Sequence, residues 1–371
     1  MQGQWKGESE SNGKRFEIIL DTEVRQTTLS GSILAYNKDD LRERIYGQIQ
    51  PCEISNNSAL AIAHLNFVNP ETNGLIYWQD IPKHFPDTSI ATLAQISFTQ
   101  RENLIDLSFN SDIGTTGKIT LSTTDPTRPS QLNAIKMTWQ EFKDYALGLD
   151  HHKHIFRGQR ESWRLRSHYH RAGGGDLWKY LTTHLPQLRR HISAQTRHLF
   201  DVTKPEEYGA LLHLAQHHGF PTPLIDWSNS PFVASYFAFH RISNIESDSE
   251  DNTKHTRIFI FDREAWLDRY NQINAIALMP PNLSLYEFMA IENPRLLPQQ
   301  ALSAVTNVND VEDYISMREA ESGVIFLSAI DIPHSERRKV MRELALMGIT
   351  ASTLFPGLDG VCEELRERLF E

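Results

Sequence analysis

The octapeptide Thr123-Thr124-Asp125-Pro126-Thr127-Arg128-Pro129-Ser130 divides the chain into two stretches with different hydrophobic periods. Two prolines among small polar residues cannot continue a strand ladder, so the segment reads as a linker. Before it, residues 16–20, 33–36, 61–68 and 105–109 are apolar or alternating runs of strand length, punctuated by turn signals such as Asn12-Gly13 and Asn73-Gly74. Several short strands without strong helix caps predict a β-sandwich or barrel over 1–130.

After the linker the pattern becomes mixed. Thr138-Trp139-Gln140-Glu141 has capping-box spacing and opens a helix. Thr203-Lys204-Pro205-Glu206 opens another, with Tyr208, Leu211, Leu212 and Ala215 on one side and Gly219 as its stop. Ser230-Pro231 starts a third. Core strands are expected at 257–262 and 323–327, and helices at 335–347 and 358–370. The fold class is therefore α+β: a β-rich domain over 1–130, then a mixed α/β domain over 131–371.

Composition removes several function classes. The two cysteines, Cys52 and Cys362, have no partner pattern, which excludes a disulfide scaffold and a Cys-rich zinc site. No run approaches the ~20 apolar residues needed to span a bilayer, and the start of the chain has no apolar leader; a cytoplasmic protein with no membrane partner is expected. Net charge is −10, which argues against general nucleic-acid binding. Residues 153–197 reverse that sign, with ten Lys or Arg against Glu161 and Asp176. This block is either a solvated face or a phosphate-facing wall, and it leaves one surface open to nucleic acid.

Two runs place polar side chains against apolar sequence. In Ile155-Phe156-Arg157-Gly158-Gln159, Arg157 offers a planar fork for carboxylate or phosphate, and Gly158 permits close backbone approach. The alternative for Arg157 is a structural ion pair with an internal acid such as Asp226. In Gln216-His217-His218-Gly219-Phe220-Pro221-Thr222-Pro223-Leu224-Ile225-Asp226-Trp227, the prolines stiffen a segment that would aim Asp226 and Trp227 into a pocket. His217 and His218 diverge if helical, and no ligand spacing accompanies them, so no metal is expected. Ser228 and Ser230 either cap a helix or form a polar floor near its anion-favouring end. Tyr236 is a core aromatic or a pocket wall. Glu321, two residues before Gly323, is expected at the head of a buried strand unless it is an exposed helix-end acid.

Phe156-Arg157-Gly158, the Gln216-to-Trp227 run, Ser228-Asn229-Ser230-Pro231, Ala234-Ser235-Tyr236-Phe237-Ala238 and Leu354-Phe355-Pro356-Gly357-Leu358-Asp359-Gly360 resemble the FRG-domain family, over roughly 136–371. The chain departs from the family pattern where Glu321 stands in place of a Gln and Ile325 in place of a Phe. The order Arg157, Ser228-Asn229-Ser230, Glu321 also resembles, more remotely, that of ADP-ribosyltransferases, with Asn229 replacing the usual middle hydroxyl. That resemblance implies NAD as substrate. Arg157, Gly158 and Gln159 would hold its phosphates or ribose, Ser228 and Ser230 would support the nicotinamide-side ribose, and Tyr236 would stack on the ring. Glu321 would stabilise the oxocarbenium-like transition state. His217, His218, Asp226 and Trp227 are expected in the same pocket. A His/Asp hydrolase or nuclease and a non-catalytic nucleotide or phosphate recognition module are the rival readings. A β-rich sensor ahead of a pocketed effector also suits a bacterial toxin or phage-defence protein.

Overall fold

The computed structural model describes every residue except 12, 87–90, 126, 151, 249–253, 274 and 371, so Asn12 of one turn signal and Pro126 of the linker lie outside the described residues. The first eight strands are β1 (Gly3–Ser11), β2 (Lys14–Arg25), β3 (Thr28–Asn37), β4 (Arg44–Ser55), β5 (Ser58–Phe67), β6 (Leu93–Arg101), β7 (Leu104–Ser111) and β8 (Thr116–Ser122). Each pairs antiparallel with the next, and Lys6 opposite Ser122 closes the ring, so the barrel alternative holds. Alternate residues such as Leu20, Ile49, Ala61, Phe98, Ile105 and Leu121 fill the interior, as period-two patterning requires.

The linker is docked at both sides. Thr123 Oγ1 donates to Gln4 O (2.7 Å) and Thr124 Oγ1 to an Asp310 carboxylate oxygen (2.7 Å). Beyond it, β9 (Ile135–Lys136), β10 (His154–Gln159), β11 (Leu224–Ser228), β12 (His255–Asp262), β13 (Leu283–Tyr286), β14 (Ala301–Thr306) and β15 (Leu327–Pro333) form one sheet in the order β13-β14-β11-β10-β12-β15-β9. Its pairs are antiparallel except β15 with β9. The helix Pro231–Phe239 packs on one face with Trp139, Phe142 and Val340. Val311, Tyr314 and Ile315 from the helix Val311–Ser322 cover the other with Trp227, Phe261 and Trp266.

The strand expected at 323–327 is displaced. Gly323 adopts φ 68° and ends the helix Val311–Ser322, and the strand begins only at Leu327. The run between them is a connector, held by the Glu319 carboxylate, which accepts from Phe326 N (2.7 Å) and Leu327 N (2.8 Å).

One irregularity positions the site. β10 pairs with β12 along its whole length, and β11 with β14 along its whole length, yet β10 and β11 meet only at Phe156 opposite Ser228. Past that contact the sheet parts. Gly158 makes the parting compatible with the helix on top: a Cβ there would lie 1.8 Å from Ala234 O.

Candidate functional site in a parted sheet

Arg157 spans the parting. Its Nη1 donates to Asp226 O (2.5 Å), a carbonyl freed from the ladder between the two strands, while its buried Nε has no protein partner among the described residues. Burial, then the nearby charge of Arg171, lower the guanidinium to about 10, against the opposing pull of Asp226. It remains charged at neutral pH. In place of the ion pair expected as the structural alternative, Arg157 is tethered to a backbone oxygen and retains donor capacity.

Asp226 is the centre of the cluster. Gln216 Nε2 donates to its Oδ1, and Thr222 Oγ1 donates to Gln216 Oε1, so the stiff Pro221-Thr222-Pro223 segment orients the amide that orients the acid. His213 Nε2 lies 3.8 Å from the same carboxylate oxygen. Burial alone would raise the Asp226 carboxyl, but His213, Arg157, His217 and the Gln216 hydrogen bond outweigh it and hold the group below the usual carboxylate range. Although protein surrounds it closely, 42% of the side chain is solvent-accessible, which places the carboxylate at the floor of an open recess. His168 and Arg171, on the short helix His168–Arg171, also feel the Asp226 charge.

His213 and His217 share a helix face, ring centroids 4.5 Å apart. Asn293 Oδ1 accepts from Arg295 N (3.3 Å), which turns its amide nitrogen toward Nδ1 of His213 (3.3 Å) and of His217 (2.7 Å). Both rings therefore carry their proton on Nε2: His217 donates to Gln299 Oε1 (3.2 Å), and His213 faces Asp226. Burial depresses both imidazoles. Neither keeps a free basic nitrogen, and their effect is to fix and polarise the Asp226 surroundings.

Of the expected residues, Arg157, Asp226 and His217 converge, and Gly158 acts by permitting close packing. His218 ends its helix exposed. Trp227 is 4% exposed and packs on Phe261 in the core, because adjacent strand residues face opposite sides. Tyr236 is fully buried in the helical layer, stacked on His240 (5.2 Å), so it belongs to the core alternative. Ser228 Oγ donates to Gln299 O (2.8 Å) and accepts from Ser230 N (3.1 Å), while Ser230 caps Val233 N (3.3 Å). Both build the strand-to-helix turn. Gln159 is buried. Glu321 takes the helix-end alternative: it lies in the last helical turn, 52% exposed, paired with Arg318 one turn earlier (2.8 Å).

Part of the basic block is spent internally: Lys153, Arg160, Arg164 and Lys179 pair with acids, and Arg166 grips Asn309. Among the described residues no helix is long and apolar enough to cross a membrane, and no group of three or more His, Cys, Asp or Glu is arranged to hold a metal ion.

These features centre on the segment that carries Arg157 and Asp226, and the family comparison falls on the same segment. Residues 152–247 match the FRG domain. The FRG match thus takes in β10, the helix Pro205–His217, β11 and the helix Pro231–Phe239, and stops short of Glu321 and Asn293. Curated proteins give no significant match. Among solved structures, a redesigned β-barrel, mFAP1, bound to DFHBI is similar at 16% identity over 33% of this chain and 94% of that chain, with a TM-score of 0.22.

Proposed function

We propose that the recess of the FRG segment binds a nucleotide, and that its chemistry is cleavage of NAD at the nicotinamide glycosidic bond with transfer of ADP-ribose. The observation that carries this reading is the Asp226 carboxylate: ionised, held by Gln216, with His213 3.8 Å away, solvent-accessible, and close enough to Arg157 and Arg171 to feel their charges. Guanidinium groups with unused donors suit the pyrophosphate. As the bond from the ribose to nicotinamide breaks, nicotinamide leaves with the electron pair and positive character develops on the sugar. A fixed carboxylate lowers that barrier. The acceptor's hydroxyl then adds to the same carbon and loses its proton, so the products are nicotinamide and an ADP-ribosyl conjugate, or free ADP-ribose when water is the acceptor. In this reading Asp226 takes the role expected of Glu321.

A second reading, nucleotide recognition without turnover, is favoured by the paired histidines: with both Nδ1 atoms occupied by Asn293, neither His213 nor His217 is free to take a proton. The same fact weighs against a His/Asp hydrolase. The barrel would act as the targeting or trigger-sensing half of a cytoplasmic effector, such as a toxin or defence protein. Nicotinamide release from NAD by the purified chain, alongside Asp226→Asn and Arg157→Ala, tests the proposal. Release that disappears in both variants supports it. NAD binding without release moves the recognition reading ahead, and absence of both overturns the nucleotide assignment.

A further inference from the structure

A separate cavity of about 670 Å³ lies where the barrel meets the FRG segment. Its walls are largely apolar and come from both parts of the chain: Val24 from the β2 end, then Tyr169, Tyr180, Leu188 and Phe220. That volume falls in the range of small-molecule pockets, roughly 300–1,000 Å³, and such sites combine apolar walls with a few polar groups. Among the described lining residues Glu23 is the one acid, and it is already satisfied. It accepts from Gly175 N (3.2 Å), Lys179 Nζ (3.1 Å) and, at longer range, Tyr169 Oη (3.5 Å). Of the other polar lining groups, Arg25, 75% exposed, His184 and His191 can donate to an anion, and Gln2 and Gln187 are neutral amides.

We infer that this cavity is a second ligand site, shaped for a flat aromatic molecule that carries an anionic group and has the size of a mononucleotide. The rings of Phe220 and Tyr169 and the Leu188 side chain supply apolar contact for the flat part. Arg25 supplies a charge at the mouth that its long contact to Glu23 (3.8 Å) leaves available. The site is distinct from the Asp226 recess, and one backbone contact links them: Tyr169 lines the cavity, and its N donates to the O of Thr222 (2.9 Å), whose hydroxyl orients Gln216. An occupant would therefore touch the element that carries Arg171. The inference does not depend on NAD chemistry in the recess.

Calorimetric titration of the full chain with AMP, adenosine and inorganic phosphate tests it. AMP is expected to bind more tightly than adenosine, and both more tightly than phosphate. Leu188→Trp, which pushes an indole into the cavity, and Arg25→Ala, which removes the mouth charge from an exposed hairpin, are each expected to weaken AMP by about tenfold or more. Arg25→Ala keeps the test decisive should Leu188→Trp fail to fold. Absence of AMP binding at millimolar concentration overturns the assignment, as does phosphate binding as tightly as AMP. AMP binding lost in Arg157→Ala but kept in both cavity variants also overturns it, and would at the same time support the recess as the nucleotide site.

Discussion

Arg157 and Asp226 are joined across a gap in the sheet by a side chain reaching a backbone oxygen, 2.5 Å apart, rather than by their opposite charges. The Asp226 carboxylate is left for other partners, and Gln216 holds it without covering it.

That geometry separates the two charges experimentally. Arg157→Lys keeps a positive charge but loses the planar fork, so nucleotide affinity is expected to fall by about tenfold or more and stability by roughly 1–3 kcal/mol. Asp226→Asn is expected to leave nucleotide binding largely intact and to slow nicotinamide release by about 10²–10³-fold. Titration calorimetry and single-turnover assays on the two variants distinguish the effects. Equal losses of binding in both would deny Asp226 a role in the chemical step.

The neighbouring glutamates make a sharper contrast. Glu321→Ala removes an exposed pair and is expected to change stability by less than about 0.5 kcal/mol, and activity less than twofold. Glu319→Ala leaves the Phe326 and Leu327 amides without their acceptor, at a cost of about 1–3 kcal/mol. Urea denaturation of both variants reads the difference. A large activity loss in Glu321→Ala would restore that residue to the site.

Gly158→Ala forces a methyl group against Ala234 O, in a backbone contact that cannot rotate away. A loss of about 1–3 kcal/mol or more is expected, with the helix Pro231–Phe239 displaced from β10. The fall in thermal midpoint measures it, and an unchanged midpoint would mean the helix stands further from the strand.

Asp21, on the barrel surface that meets the rear domain, has its carboxyl pushed up to about 8, first by burial and then by the charge of Asp176, against a hydrogen bond from Gln4. A folded value above the unfolded one of about 3.9 means the folded state holds the proton more tightly. The stability this contributes is fully present below about pH 4 and lost as pH rises through about 8. Asp21→Asn, which keeps an acceptor for Gln4 and needs no proton, is expected to gain on the parent as pH rises and to level off above about 8. Urea midpoints at pH 5 and pH 8.5 check this. A difference that does not change with pH would show that Asp21 ionises normally.

Much of this architecture is legible in residue order. Alternation and turn residues marked the barrel strands, but closure depends on where β1 meets β8, a pairing that local pattern does not encode. Arg157 and Asp226 stood out because a charge beside apolar strand sequence needs a reason. Placing Asp226 and Trp227 in one pocket overlooked strand parity, which sends adjacent side chains to opposite faces. His213 was missed because it reads as one more inward position of an apolar helix. Its four-residue spacing from His217, with Gln216 beside it, was the available signal. Asn293 and Gln299 lie outside regular strands and helices, where no period marks a residue. Glu321 was misplaced because the helix continues to Ser322 before Gly323 stops it.

Gln4 of β1 donates to Asn307 O (2.9 Å), 303 positions later, and its oxygen accepts from Asn309 N (3.2 Å). A ring that closes by Ser122 is finished well before those amides leave the ribosome. The barrel can thus stand as a preformed template during synthesis, its polar side chains hydrated until the last third of the chain arrives to replace the water. Assembly of the parted sheet would then proceed against a surface that is already rigid.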